Sequence, residues 1–419
     1  MAGDPPHSAP YLPYGRQAID EDDIAAVTAV LRGDWLTQGP TVTRFERAFA
    51  ETVGARHAIA CANGTAALHL ACMALNLGPG DAVVVPSVTF LATANAARYC
   101  GAEVAFADVD PETGLMGRAA AEAAIARAEA AGWRVRALAP VHFAGQAADM
   151  DALADLAEAR GLAIIEDACH AVGSRRAGRA RVNGGGANGD GDTVAIGACD
   201  RSAMACFSFH PVKTIAAGEG GMITTNDDAL ARSLRRDVSH GMVRDAAAFQ
   251  DKEAAFGAAG GANPWYYEMP APGYNYRLTD IHAALGLSQL GKLDRFARRR
   301  AEMVARYDER LAGLAPLVRH AGRSGGAPAW HLYVVLIDFA TLGKDRAAVM
   351  AELRVQGVGS QVHYIPVHHQ PYYRARYGRL DLPGADGWYG ACLSLPLFPA
   401  MTDGDVDRVV AALERVAGA

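Results

Sequence analysis

From Asp20 to Leu31 apolar residues return at helical spacing, at Ile24, Val27, Val30 and Leu31, before Gly33 to Pro40 breaks the pattern. This predicts a helix running into an exposed loop, Trp35-Leu36-Thr37-Gln38-Gly39-Pro40. After Asn63-Gly64-Thr65, good helix formers from Ala66 to Leu77 run up to Gly78-Pro79-Gly80, which predicts a helix with a polar start and a Gly/Pro stop. Short β-branched or apolar runs then alternate with helical stretches: Ala82 to Val85, Val104 to Val109, Val135 to Val141, Leu162 to Ile165, Ala205 to Phe209 and Gly221 to Thr225. Strands interleaved with helices mean an α/β unit with a largely parallel sheet. Beyond it, Leu278 to Leu311 reads as long helix whose cluster Arg298-Arg299-Arg300 is taken as a solvated face. A further strand-rich run, His331 to Ile337, and helices over Asp345 to Gln356 and Asp405 to Val416 complete a smaller C-terminal part.

At 419 residues the chain is too long for one small core. The expected division is an N-terminal arm over 1–25, a large cofactor-binding domain over 26–280, and a linking helix with a small domain over 281–419. The formal net charge of −6 offers no basic field to gather a nucleic acid or an anionic membrane. The seven cysteines contain no C-x-x-C pair, which argues against a disulfide framework and a zinc site. Met1 to Pro10 lacks the basic start and apolar run of a signal peptide, and the apolar stretch Ala58 to Gly78 is broken by Asn63, Gly64, Thr65 and His69. A cytoplasmic protein is expected.

In sheets of this kind ligands sit at the carboxyl ends of the strands, and polar residues cluster there in this chain. Asp167 follows the apolar run Leu162-Ala163-Ile164-Ile165, where it either caps the next helix or serves as a buried carboxylate. Lys213 follows Phe207-Ser208-Phe209-His210-Pro211-Val212. Such a lysine either snorkels from a strand end or is desolvated enough for its neutral amine to react with a carbonyl. Gly64 and Thr65 stand at a helix start, whose amides bind phosphate well, although Asn63-Gly64 also reads as a plain turn. Pyridoxal phosphate asks for this set: an amine, a carboxylate for the ring nitrogen, a stacking side chain, and amide and hydroxyl donors. The run Gly184 to Gly189 contains G-x-G-x-x-G, but no strand precedes it, so Gly184–Asp192 reads as a surface loop.

The order Asn63-Gly64-Thr65-Ala66-Ala67, Pro86-Ser87-Val88-Thr89-Phe90, Glu166-Asp167-Ala168-Cys169-His170 and Ser208-Phe209-His210-Pro211-Val212-Lys213 resembles the sugar aminotransferases of the DegT/DnrJ/StrS group. Thr37-Gln38-Gly39-Pro40 upstream and Gly273-Tyr274-Asn275-Tyr276-Arg277-Leu278-Thr279-Asp280 downstream extend the likeness to nearly the whole chain. The resemblance implies a pyridoxal-phosphate enzyme of aminotransferase fold type I, with a mostly parallel mixed sheet between helices and a smaller C-terminal α+β domain. It further implies Lys213 as the Schiff-base lysine, Asp167 against the pyridinium nitrogen, Phe90 stacked on the ring and His170 near the ring hydroxyl. Gly64, Thr65 and Ser208 would hold the phosphate, joined by Asn275 from the other subunit of a homodimer with shared active sites.

Thr37, Gln38, His331, His363 and Tyr364 are the candidate substrate contacts; His331, His363 and Tyr364 read as well as packing residues. His368-His369 has no regular metal-ligand spacing, and no metal is expected. Pro13-Tyr14-Gly15-Arg16-Gln17 and Gln361-Val362-His363-Tyr364-Ile365-Pro366-Val367-His368 are similar to the members that work in pseudaminic acid biosynthesis. The implied reaction moves nitrogen from L-glutamate to C4 of a UDP-linked 4-keto-6-deoxy sugar. Other UDP- or dTDP-keto-sugars stay open as substrates. So do a dehydratase, which a lysine at position 213 disfavours, and a non-catalytic regulator of the same fold.

Overall fold

The computed structural model describes residues 10–178 and 193–418. The glycine-rich run Gly184–Asp192 lies outside the described residues. Chain order gives strands β1 (His57–Cys61), β2 (Asp81–Pro86), β3 (Glu103–Ala107), β4 (Arg134–Leu138), β5 (Ala163–Asp167), β6 (Arg175–Ala177), β7 (Thr193–Ala195), β8 (Met204–Ser208), β9 (Gly221–Thr225), β10 (Val318–His320), β11 (Tyr333–Ile337) and β12 (Cys392–Leu395). Seven of them form one sheet in the order β1-β9-β8-β5-β4-β2-β3. The β8–β5, β5–β4, β4–β2 and β2–β3 pairs are parallel, whereas β9 runs against both β8 and β1. The sheet is thus mixed with one reversed strand, as a mostly parallel reading allows.

Period-two alternation explains why these runs become strands buried on both faces. In β2, Val83 and Val85 join one core, while Ala82 and Val84 join another on the opposite face. In β3, Val104 and Phe106 go to the first core, and Ala105 and Ala107 to the second. Helices Gly64–Ala74 and Leu91–Tyr99 supply apolar residues to the first; Arg118–Ala130 and Met150–Arg160 cover the second. A third core, built around Phe45, Phe49, Phe207 and Phe209, fills the β8–β9–β1 side under helix Pro40–Val53.

A small antiparallel sheet, β10-β11-β12, carries the C-terminal part. Its β11 also splits by parity: Val334 and Leu336 enter the main core, while Tyr333, Val335 and Ile337 pack in a C-terminal core with helix Asp403–Ala417. Helix Leu293–Leu311 links the two regions, placing Leu293 and Phe296 in the β8–β9 core and Met303, Val304, Tyr307 and Leu311 in the C-terminal one.

That helix corrects the reading of the arginine cluster. Arg298 is exposed, but Arg300 is 1% exposed and gives hydrogen bonds to the carbonyls of Trp330, His331 and Leu397. It lies on the buried stripe because positions 293, 296, 300, 303 and 307 repeat at three- and four-residue steps. All seven cysteines are free. Among the described residues no helix is long and apolar enough to cross a membrane.

Candidate active site

The carboxyl ends of β1, β2, β5 and β8 meet at one edge of the sheet, where a cavity of about 680 Å³ opens. Because β9 is reversed, its beginning reaches this edge, and the β8–β9 connection crosses the mouth of the cavity with Lys213 on it. The connection is tied at its base by the Phe209 amide to the Gly220 carbonyl (2.9 Å) and turned by the Lys213 amide to the His210 carbonyl (2.8 Å). Close approach demands glycine at two points. A Cβ at Gly221 would meet the Asn63 carbonyl oxygen at 2.3 Å, and one at Gly64 would meet Ser208 Cβ at 2.8 Å and Cys169 Sγ at 3.1 Å.

Ten of the thirteen residues singled out by sequence line this cavity: Gly64, Thr65, Phe90, Asp167, His170, Ser208, Lys213, His331, His363 and Tyr364. Asp167 closes β5 and is buried, with the Cys169 amide giving a hydrogen bond to Oδ1 (3.1 Å) and the Thr93 hydroxyl giving one to Oδ2 (2.6 Å). The two donors fix both carboxylate oxygens in place. Burial pushes the Lys213 ammonium below the ordinary lysine range, while Cys169 and Asp167 pull it part of the way back. Phe90 caps helix Leu91–Tyr99 and stays 55% exposed, leaving its ring free to cover a flat ligand.

His170 accepts the Ala144 amide at Nδ1 (3.4 Å), so its proton sits on Nε2, facing the Tyr364 phenol oxygen at 3.0 Å. Burial, then Lys213 and His363, holds His170 well below the usual imidazole range. His331 lies ring to ring with His170 at 4.4 Å and is pushed down in the same way by burial and then by His170. His363 falls to about 3, again through burial and then Lys213. These imidazoles act as neutral donors and acceptors. His363 contacts the Ser394 hydroxyl at 2.8 Å, whereas Nδ1 of His331 is buried without a partner among the described residues.

At the other end of the cavity, helix Gly64–Ala74 begins with the Asn63 side chain accepting the Ala66 amide (2.8 Å). The amides of Gly64 and Thr65, in the first turn, have no acceptor within the helix and remain available to an anion. Hydroxyls of Thr65 and Ser208 stand beside them in the cavity wall. A buried carboxylate, a depressed lysine, an uncovered aromatic ring and a helix-start donor group in one cavity are the contacts that pyridoxal phosphate requires, and the residues present fit it.

Three expected residues do not join. Thr37, Gln38 and Asn275 are exposed and line no part of the cavity. Thr37 bridges Thr279, the cap of helix Asp280–Leu290, and Asn275 bridges Ser239, just past helix Asp228–Asp237. Conversely, Thr93, Glu219 and Tyr14 are site residues that the sequence alone does not single out. Tyr14 and Glu219 line the cavity, and Tyr14 lies against His363 at 5.5 Å between ring centres. Thr93 carries no local signal, because the carboxylate its hydroxyl meets lies 74 positions away in sequence.

The fold and this residue set define a pyridoxal-phosphate enzyme of aminotransferase fold type I. Residues 17–414 match the DegT/DnrJ/EryC1/StrS aminotransferase family, and the chain belongs to it. It is a sugar aminotransferase. The chain is 39% identical over 409 residues, 97% of each chain, to the spore coat polysaccharide biosynthesis protein SpsC of Bacillus subtilis (strain 168). Among solved structures it is similar to Helicobacter pylori PseC, an aminotransferase involved in pseudaminic acid biosynthesis (TM-score 0.81, 25% identity, covering 97% of this chain and 99% of that one). Spr1654 from Streptococcus pneumoniae in its PLP form gives the same TM-score of 0.81 at 25% identity, covering 97% and 99%.

Proposed function

We propose that this enzyme transfers nitrogen from L-glutamate to the C4 ketone of a UDP-linked 4-keto-6-deoxy sugar. The observation that carries the reading is the convergence of Lys213 and Asp167 in one cavity whose far end is a helix start with free amides. Lys213 Nζ holds the cofactor, Asp167 faces its ring nitrogen, Phe90 covers the ring, and His170 lies near the ring hydroxyl. Gly64, Thr65 and Ser208 hold the phosphate. Bound there, pyridoxal phosphate supplies an aldehyde for the incoming amine and a ring that takes up the electron pair left when a C–H bond breaks. Displaced by the amino donor, Lys213 Nζ becomes the base and acid that moves a proton at the carbon losing or gaining nitrogen. An ionised Asp167 keeps the ring nitrogen protonated throughout. His331, His363 and Tyr364 contact the sugar from the small-sheet side.

In this reading residues 26–280 form the cofactor-binding domain, 1–25 an arm and 281–419 the linking helix and small domain. The enzyme works in the cytoplasm as a homodimer, with Thr37, Gln38 and Asn275 serving the partner's site. The preferred substrate is UDP-2-acetamido-2,6-dideoxy-β-L-arabino-hexos-4-ulose, giving UDP-4-amino-4,6-dideoxy-N-acetyl-β-L-altrosamine. The string Gln361 to His368 and the likeness to PseC support it. The higher identity to SpsC favours a second reading, in which the product is another amino sugar destined for a polysaccharide. Epimers at C5 differ by a few contacts worth about 1–3 kcal/mol, so overall likeness does not decide between them. A panel of UDP- and dTDP-linked 4-keto sugars, incubated with glutamate and read by mass spectrometry and NMR, does. Higher kcat/KM for the L-arabino sugar than for its D-xylo epimer is expected. Preference for the D-xylo or a dTDP-linked sugar would replace the first reading by the second.

A further inference from the structure

Thr89 and Thr93 stand one helical turn apart where the chain leaves β2 and enters helix Leu91–Tyr99, and both are buried. Their hydroxyl oxygens are 2.7 Å apart, and Thr93 Oγ1 is 2.6 Å from Asp167 Oδ2. Distances alone leave the donor between the two threonines open, but the carboxylate decides it. An ionised Asp167 can only accept, so the single hydroxyl proton of Thr93 goes to Oδ2. The Phe90 carbonyl, at 3.3 Å, is the weaker alternative acceptor for that proton. Thr93 Oγ1 must then accept from Thr89, which makes the order Thr89 O–H to Thr93 O–H to Asp167. Thr89 is also part of the cavity wall, so the relay starts at the ligand's edge and ends on the carboxylate.

We infer that Thr93, with Thr89 behind it, is the positioning residue for Asp167. The Cys169 amide fixes Oδ1 and the Thr93 hydroxyl fixes Oδ2, which sets the plane of the carboxylate. Of the two donors, the one that is itself polarised by a second hydroxyl is the stronger. The inference rests on the proposed role of Asp167 toward the ring nitrogen, and it assigns to Thr93 no contact with cofactor or substrate.

The test uses Thr93→Val, which keeps the branched shape and removes the hydroxyl, together with Thr93→Ser, which restores it. Pyridoxal phosphate is titrated into each apo protein and the bound cofactor's visible spectrum is recorded. Thr93→Val should bind pyridoxal phosphate about tenfold more weakly, the usual scale for a lost hydrogen bond to a charged group. Its visible band should titrate at a shifted pH, and Thr93→Ser should recover most of both. Thr89→Val should show the same changes at smaller size. In an Asp167→Asn background Thr93→Val should add little, because the group it acts through is gone. Unchanged affinity and spectrum in Thr93→Val, or a full additional loss on top of Asp167→Asn, would overturn the relay. Should Thr93→Val fail to fold, Thr93→Ala takes the same titration. Failure of the wild-type protein to bind pyridoxal phosphate would sink the cofactor assignment itself, a distinct outcome.

Discussion

The interior of the cavity and the loops carrying Thr37, Gln38 and Asn275 answer the same motif set in opposite ways. Inside, residues far apart in sequence converge: Asp167 ends β5, Lys213 lies between β8 and β9, Thr65 follows β1, and all line one cavity. Outside, Thr37, Gln38 and Asn275 are exposed and line none of it. Strand ends deliver side chains to a common edge because the sheet fixes their register, so one chain suffices there. The contrast is the one the proposed shared-site homodimer calls for: the chemistry gathered within one chain, and the residues on the exposed loops offered to a partner.

The sharpest way to break the interior half is Asp167→Asn. Loss of the anion at the ring nitrogen should cut turnover about 10²-fold or more while the cofactor still binds, measured as kcat beside a cofactor titration. Near wild-type turnover would reduce Asp167 to a structural carboxylate that holds the turn at Cys169. The exterior half is tested by mixing two inactive chains, Lys213→Ala and Asn275→Asp. Random reassortment would leave one intact site in each mixed dimer, about a quarter of the sites in the mixture. Activity returning to that level supports sharing; no return, or a fully active monomer, contradicts it.

The smallest effect concerns pH. Burial lowers Lys213, so its neutral amine appears at a lower pH than that of an exposed lysine. Cofactor uptake by the apo protein should rise with pH and level off below the usual lysine range. A rise that continues through that range would place Lys213 in an ordinary solvated setting.

Much of the interior was legible because its signals are local. The apolar runs of β2 and β3 announce buried strands, and Asn63-Gly64-Thr65 announces a helix start. Lys213 and Asp167 were ambiguous singly and became readable from their order. Thr93 escaped because a threonine in an alanine-rich helix carries no mark of what its hydroxyl meets, and its partner is 74 positions away. Arg300 was misread because two neighbouring arginines drew attention to charge, while the three- and four-residue spacing of Phe296, Arg300, Met303 and Tyr307 already placed it on the buried stripe. The reversed β9 was hidden for another reason: strand direction depends on pairing, which composition does not encode.

The central claim is that Lys213 holds the cofactor, and borohydride tests it directly. The purified protein should be yellow, reduction should bleach it, and peptide mapping should find the cofactor's mass on the peptide containing Lys213 and on no other. A label on another lysine, or none after saturation with pyridoxal phosphate, would contradict the account.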